Sequence, residues 1–496
     1  MAESTSINVL EPVVMLPSGH QMARAIAWSA AGKWISQLFA WASTLIVVRL
    51  LSPGDFGLLG MAVTYLGLIE LISEFGIGTA VVTLRTLTPR QVSQLHTAAV
   101  ILGLVATALS FALAVPLSRF FHAPELSGLL FLMALGFVIT GFKSVPYALL
   151  QKDLRFVAIS RIDAAQALLQ ALASAFLVWM GLRFWAIAIS GLAGAALSTY
   201  LLFRNRPVQL APPAFRSVAC SMAFSWRILV SRLSWYLYSN ADFVVAGRIL
   251  GKIALGAYTV AWNFANLPGE KIVTLITSVT PTFFASVQDD QPALRNYFAS
   301  LTEILAVVMF PVVSGFALIA PLLVPLACGP HWRAAIMPMQ LLAIYTFLRS
   351  ITALLPQVIN AVGETRFGMW NSLLTLAILP ASFFIASRWG VLGIASVWVL
   401  IYPLLTVPLY RRTLKSIEMS FAQYLAALRP SLFGTAGMTI AVLITGWAVP
   451  NAVSSTLRLA CEIAVGAAVY PAILVFAFPG NVNRYWRFAK RLRSAS

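Results

Sequence analysis

The sequence predicts an all-α polytopic membrane protein of about fourteen transmembrane helices, built as two repeats of six followed by two C-terminal helices. Three observations carry that reading. First, 60% of the residues are hydrophobic, only 10% are charged and the mean hydropathy is +0.86, which is too apolar for a surface that meets water. Second, apolar runs able to cross about 30 Å of hydrocarbon, roughly 20 residues each, recur along the whole chain. Third, the polar break Arg49-Leu-Leu-Ser-Pro-Gly-Asp-Phe-Gly57 is answered downstream by Arg248-Ile-Leu-Gly-Lys-Ile-Ala-Leu-Gly256, with the same spacing from Arg to Gly. Such internal repeats around a central site are a recurring plan of transporters.

Taken in order, residues 1–23 carry Glu3, Glu11, Pro12 and Pro17 without a basic region leading into an apolar core. They read as a cytoplasmic tail, not as a cleaved signal peptide. The first repeat, 24–203, holds apolar runs at approximately 33–49, 57–82, 97–117, 126–147, 162–180 and 184–203. Residues 204–217, rich in Arg and Pro, are the expected linker between repeats. The second repeat, 218–410, holds runs near 221–246, 255–284, 300–326, 334–361, 368–387 and 392–410. Two further runs, near 431–449 and 457–478, fill 411–480, and 481–496 is a basic cytoplasmic tail. The mixed stretch 151–161, with Lys152, Arg155 and Arg161 among Leu154, Phe156, Val157 and Ile159, reads as a segment lying along the inner membrane surface.

Charge sets the orientation. With both ends inside, roughly 21 Lys and Arg residues collect on the cytoplasmic side against about 8 on the other. An odd number of spans would scramble that asymmetry. The formal charge of +18 is therefore positive-inside bias and contact with lipid headgroups, and nucleic acid is not an expected partner. Cys220, Cys328 and Cys461 lie far apart in or beside apolar runs, which suggests neither a disulfide framework nor a metal site. Two later matches support the duplication: Arg155-Phe156 with Arg366-Phe367, and Gly181-Leu-Arg-Phe-Trp-Ala186 with Gly390-Val-Leu-Gly-Ile-Ala395. With six helices each, the repeats share one orientation, related by an axis along the membrane normal.

The stretch Arg49-Leu-Leu-Ser-Pro-Gly-Asp-Phe-Gly-Leu58, the run Leu149-Leu-Gln-Lys-Asp-Leu-Arg-Phe156 followed by Asp163, and Asn360-Ala-Val-Gly-Glu-Thr-Arg366 resemble bacterial polysaccharide exporters. These are the Wzx-type lipid-linked oligosaccharide flippases of the multidrug/oligosaccharidyl-lipid/polysaccharide superfamily. The resemblance runs from about Ala23 to Tyr410. It implies two six-helix lobes facing each other across a central cavity in the bacterial inner membrane, with a polyprenyl-pyrophosphate-linked oligosaccharide as cargo. It further implies a lipid-tail groove beside the last two helices, and a polymerase and a chain-length regulator as pathway partners. No cofactor is expected.

Residue chemistry makes its own case. Charges within a span cost about 2.5–3.5 kcal/mol on insertion scales, so those present should face a wet cavity or one another. Lys33, Arg227, Arg232, Lys271 and Arg349 are the candidate cations for a diphosphate, and Trp34, Trp235, Tyr236 and Trp262 the candidate platforms for sugar rings. The Trp and Tyr residues also read as an interfacial belt, and Lys33 and Lys271 as snorkelling from span ends. Glu70, Glu74, Asp242 and Glu303 are candidates for coupling to H⁺ or Na⁺, with Glu70 and Glu74 four apart on one helix face. Arg49 and Arg248 sit at equivalent places near the outer mouth, as gate residues closing through Asp55 or as turn-stabilising arginines.

A polyprenyl-linked sugar polymerase or glycosyltransferase would act on similar lipids. The polar breaks here are short and His20, His96, His122 and His331 are scattered, so no catalytic constellation is visible and a non-enzyme is expected. A multidrug exporter of the same superfamily is the nearer alternative; Arg227, Arg232, Lys271 and Arg349 argue against it.

Overall fold

The computed structural model describes residues 43–73, 77–83, 87–212, 226–287, 290–450 and 453–481, which form helices and turns without a strand. In the first repeat a helical stretch at 43–50 leads into α1 (Pro53–Ser73) and α2 (Ile77–Thr83), then α3 (Pro89–Phe120), α4 (Glu125–Lys152), α5 (Phe156–Trp179) and α6 (Trp185–Asn205). The second repeat opens with α7 (Trp226–Ser239), α8 (Ala241–Val245) and a π-helical turn, Ala246–Leu250. It continues through α9 (Gly251–Ser286), α10 (Gln291–Ala327), a 3-10 turn at Pro330–Ala335, α11 (Ile336–Thr352), α12 (Leu355–Ala361), α13 (Thr365–Ala386), α14 (Gly390–Leu400) and α15 (Tyr402–Ser416). Two last helices follow, α16 (Phe421–Ala448) and α17 (Ser455–Ala477).

Among the described residues 11 stretches are long and apolar enough to cross a membrane. The stretch Thr365–Ser416 reverses at Ser387–Trp389 and so crosses twice. The 43–50 end of the first span and the short α7 complete the fourteen crossings that the apolar runs predict.

Within the first lobe α4 packs on α3 and α6, and α6 on α5; within the second α11 packs on α9 and α10, and α13 on α7. The main contact between lobes is α1 against α9, and α16 and α17 lean on α10.

Several helices outrun their apolar runs, because hydropathy reads only the hydrocarbon-crossing part of a helix. α3 begins at Pro89 and not near 97, since Thr88 accepts from the Gln91 amide while its own N–H donates to Gln91 Oε1 at 2.8 Å. Ser420 and Gln423 form the same reciprocal cap at the start of α16, ten residues before the predicted onset. Each box satisfies two helix-end donors that would otherwise be orphaned. The stretch 151–161 does not lie along the membrane surface. α4 runs to Lys152, Leu154 takes a left-handed conformation (φ 55°) and α5 starts at Phe156, so the mixed sequence is a tight turn between two crossings.

Candidate functional site

The repeated motif forms the junction between lobes. α1 and α9 cross at their N-terminal turns, where Gly57 lies against the carbonyl of Lys252 and Gly256 against the carbonyl of Pro53. A Cβ on either glycine would overlap that carbonyl. One turn further along, Gly60 meets the Thr259 hydroxyl. Small residues let the two backbones approach this closely.

The turns that follow the third span of each repeat close over this crossing from both sides. Trp332, fully buried, donates from Nε1 to the Val48 carbonyl at 2.9 Å and meets Phe56 edge-on at 5.3 Å. In the opposite sense Phe121 packs on Gly247. Two polar contacts ring the same end: Lys252 Nζ to Glu125 Oε1 at 2.8 Å, and Arg248 to the His122 ring, with the guanidinium 5.3 Å above Phe120. Arg248 therefore joins the lobes, but through His122. Asp55 pairs instead with Arg183 of its own lobe at 2.9 Å and accepts from the Ser52 N–H and hydroxyl, which ties the α1 start to the α5–α6 turn. Arg49 is exposed and makes no ion pair with Asp55 among the described residues.

Deeper in, Tyr236 of α7 seats on Gly67 of α1 and donates to the Thr64 carbonyl at 2.8 Å, a further inter-lobe contact. Glu70 is exposed on α1 within electrostatic reach of Tyr236; Arg232 and Trp235 are exposed on α7. Arg227 lies in the first turn of α7 and Lys271 in α9, but their side chains fall outside the described residues, as do Lys33, Trp34 and Glu74 entirely.

Asp242 sits in the core of the second lobe, completely buried. It accepts from Tyr258 Oη at 2.5 Å, Trp398 Nε1 at 2.9 Å and the Phe243 N–H at 2.9 Å. Trp262 belongs to the same aromatic cluster, 5.6 Å from Trp398 and 5.8 Å from Tyr345, so its ring packs against the lobe's own aromatics. Next to it Arg349, half-buried on α11, donates to Asn266 Oδ1 at 3.5 Å and lies 6.0 Å over the Tyr345 ring. Glu303, buried on α10, accepts from Asn481 Nδ2 at 2.5 Å beyond the end of α17.

Lys143 had no counterpart among the sequence candidates, and a groove beside the last helices was expected only from the family resemblance. Lys143, counted with the cytoplasmic-side charges although it falls in the run 126–147, lies more than two turns inside α4, where Nζ donates to Gln166 Oε1 of α5 at 2.9 Å. A groove of about 660 Å³ runs between the lobe junction and the last helices, lined by Leu45, Phe264, Gly315, Phe316, Val442 and Gly466, with Glu462 at its edge. Glu462 is paired with Arg458, whose guanidinium also donates to the Gly446 carbonyl. The groove's apolar lining comes from five separate helical stretches, which no local sequence signal links.

The family described as polysaccharide biosynthesis protein matches residues 46–337. The lipopolysaccharide biosynthesis protein WzxC of Escherichia coli (strain K12) is 26% identical over 410 residues, covering 81% of this chain and 82% of that protein. The teichuronic acid biosynthesis protein TuaB of Bacillus subtilis (strain 168) is 26% identical over 430 residues, covering 84% of this chain and 88% of that protein. Among solved structures, the lipid II flippase MurJ in an inward closed conformation superposes with a TM-score of 0.73 at 12% identity, over 92% of this chain and 100% of that one. That likeness is one of fold: two six-helix lobes with two additional helices.

Proposed function

Since the chain belongs to the polysaccharide biosynthesis protein family, we propose that it is a flippase that moves a polyprenyl-pyrophosphate-linked oligosaccharide across the bacterial inner membrane by alternating access of its two lobes. The observation that carries this reading is the pairing of a close lobe junction with an apolar groove. The lobes meet at Gly57, Gly256 and Trp332, while the groove opens from Leu45 and Phe264, at the lobe junction, toward α16 and α17. Sugars and diphosphate would travel between the lobes as the prenyl tail stays in the groove, where each buried CH₂ is worth about 0.8 kcal/mol. The excess of Lys and Arg at the opposite end supports reading the closed end as periplasmic and both termini as cytoplasmic. Relatives bearing the names of lipopolysaccharide and teichuronic acid biosynthesis support a saccharide cargo over a drug. The work is conformational, needing no bond chemistry from the protein. Coupling to H⁺ or Na⁺ through Glu70, Glu74, Asp242 or Glu303 is part of the proposal, as are a polymerase and a chain-length regulator as downstream partners.

The test is to remove the protein from its host and probe spheroplasts with a periplasm-side glycan-modifying reagent. Complete lipid-linked units that accumulate protected from the reagent, and are released by the wild-type gene, support the flippase. Units that accumulate accessible outside place the protein after flipping; no accumulation removes the proposal.

A further inference from the structure

Each lobe places a half-buried cation on the fourth span of its repeat, near a tyrosine four residues away and an amide oxygen of another span; only Arg349 was among the sequence candidates. The tyrosine precedes Arg349 and follows Lys143, and the amide comes from the second span in the one lobe and the fifth in the other. In the second lobe Arg349, on the repeat's fourth span, lies 6.0 Å over Tyr345, four residues away on the same helix, and donates to the amide oxygen of Asn266 on a neighbouring span. In the first lobe Lys143, also on the fourth span, lies 5.7 Å over Tyr147, four residues away, and donates to the amide oxygen of Gln166 on the next span. Both cations are half-buried, and Lys143 lies about 13 Å of helix from the end of α4 at Lys152.

Lysine at that depth is costly in hydrocarbon unless it serves a pathway. Its hydrogen bond goes to a neutral amide, which orients the ammonium without cancelling its charge. On α5 the polar residues Asp163, Gln166 and Gln170 follow at i, i+3 and i+7, so one stripe of that helix turns a carboxylate and two amides toward one side. Asp163 attracts Lys143 electrostatically from within this stripe.

We propose that Lys143, positioned by Gln166 and Tyr147 and checked by Asp163, is the first lobe's binding site for the diphosphate of the lipid carrier, the counterpart of Arg349 in the second. This rests on the flippase reading above and adds to Lys33 a second first-lobe cation for the charged group. A diphosphate displaces the Gln166 oxygen from Nζ and competes with Asp163 for the same charge; the amides remain as donors to phosphate or sugar oxygens.

The test is a titration of purified protein in nanodiscs with polyprenyl diphosphate and, separately, with phosphatidylglycerol. Lys143→Gln should weaken diphosphate binding about tenfold or more, Lys143→Arg should keep it, and Asp163→Asn should tighten it several-fold, as expected when one competing charge is removed at short range. A purely structural Lys143–Asp163 pair predicts the opposite for Asp163→Asn, which also carries the test should Lys143→Gln misfold. Unchanged binding by well-folded Lys143→Gln, or weaker binding by Asp163→Asn, overturns the site alone. An equal loss for phosphatidylglycerol overturns its assignment to a diphosphate. If the wild type does not bind polyprenyl diphosphate at all, the flippase reading falls and the site with it.

Discussion

Gly57 and Gly256 occupy the same place in the two repeats, and each rests on the other repeat's backbone: Gly57 on the Lys252 carbonyl, Gly256 on the Pro53 carbonyl. The motif found twice along the chain is thus one contact made twice about a pseudo-two-fold axis. Any conformation that opens this end must separate these two backbones.

Replacing either glycine by Ala places a methyl group inside a carbonyl that cannot rotate away. Overpacking of this kind costs about 1–3 kcal/mol in the closed arrangement, which shifts a two-state equilibrium about 5- to 150-fold toward opening. Distance measurements between spin labels at exposed Leu50 and Ile253 should move to longer separations in Gly57→Ala and Gly256→Ala. Unchanged distances would show that the crossing does not move.

The Lys252–Glu125 pair has both side chains about 40% exposed, so its contribution to closure is small, about 0.2–1 kcal/mol. Glu125→Gln should shift the same label distances by no more than about fivefold in population. The double exchange Lys252→Glu with Glu125→Lys should restore them. Complete opening in Glu125→Gln alone would mean that the pair, and not the glycine crossing, holds the end shut.

Asp242→Ala strands the Tyr258 hydroxyl and the Phe243 N–H in the second lobe's core and leaves the Trp398 indole N–H only its longer contact to Tyr258 Oη at 3.1 Å. Each buried donor left unpaired costs about 1–3 kcal/mol, so thermal unfolding in detergent should show a clear drop in Tm. Asp242→Asn retains an acceptor oxygen and should lose less. If Asp242 also couples to an ion, Asp242→Asn will flatten the dependence of transport on H⁺ or Na⁺ at nearly normal stability; an unaltered dependence removes it as a coupling residue.

Gly315 lines the apolar groove and has open space where a side chain would begin. Gly315→Trp should therefore fold normally and fill the groove. Transport of a long-tailed polyprenyl substrate should fall at least tenfold, while a short-tailed analogue, which loses about 0.8 kcal/mol of burial per missing CH₂, should be much less affected. Equal losses for both would place the tail elsewhere.

Burial pushes the Cys328 thiol up to about 11. Deprotonation, and with it reaction with maleimide, should be negligible at neutral pH and rise only as pH approaches that value. With Cys220 and Cys461 changed to Ser, labelling at pH 7 should be far below that of a free thiol. Rapid labelling would mean that this end opens often enough to expose Cys328.

The sequence by itself determined the class of fold, the number of crossings, the duplication and the motif Arg49–Gly57 with its echo, because these follow from composition, run length and spacing along the chain. It did not reveal which of the polar residues come together. Asp55 found Arg183 and not Arg49 or Arg248, since the partner lies on a turn 128 residues away. Trp262 and Asp242, which read as cavity residues, turned into the second lobe's aromatic core because one face of α9 packs on α11 and α14. Lys143 fell inside the predicted run 126–147 but counted there only as a cytoplasmic-side charge, because its hydrogen bond to Gln166 comes from another helix and leaves no trace in local sequence. The lining of the groove, which the resemblance had only placed beside the last two helices, and the contact of the crossing glycines were decided by tertiary structure: an apolar channel built from five helical stretches, and a backbone contact between repeats, are properties of packing that no local window of sequence contains.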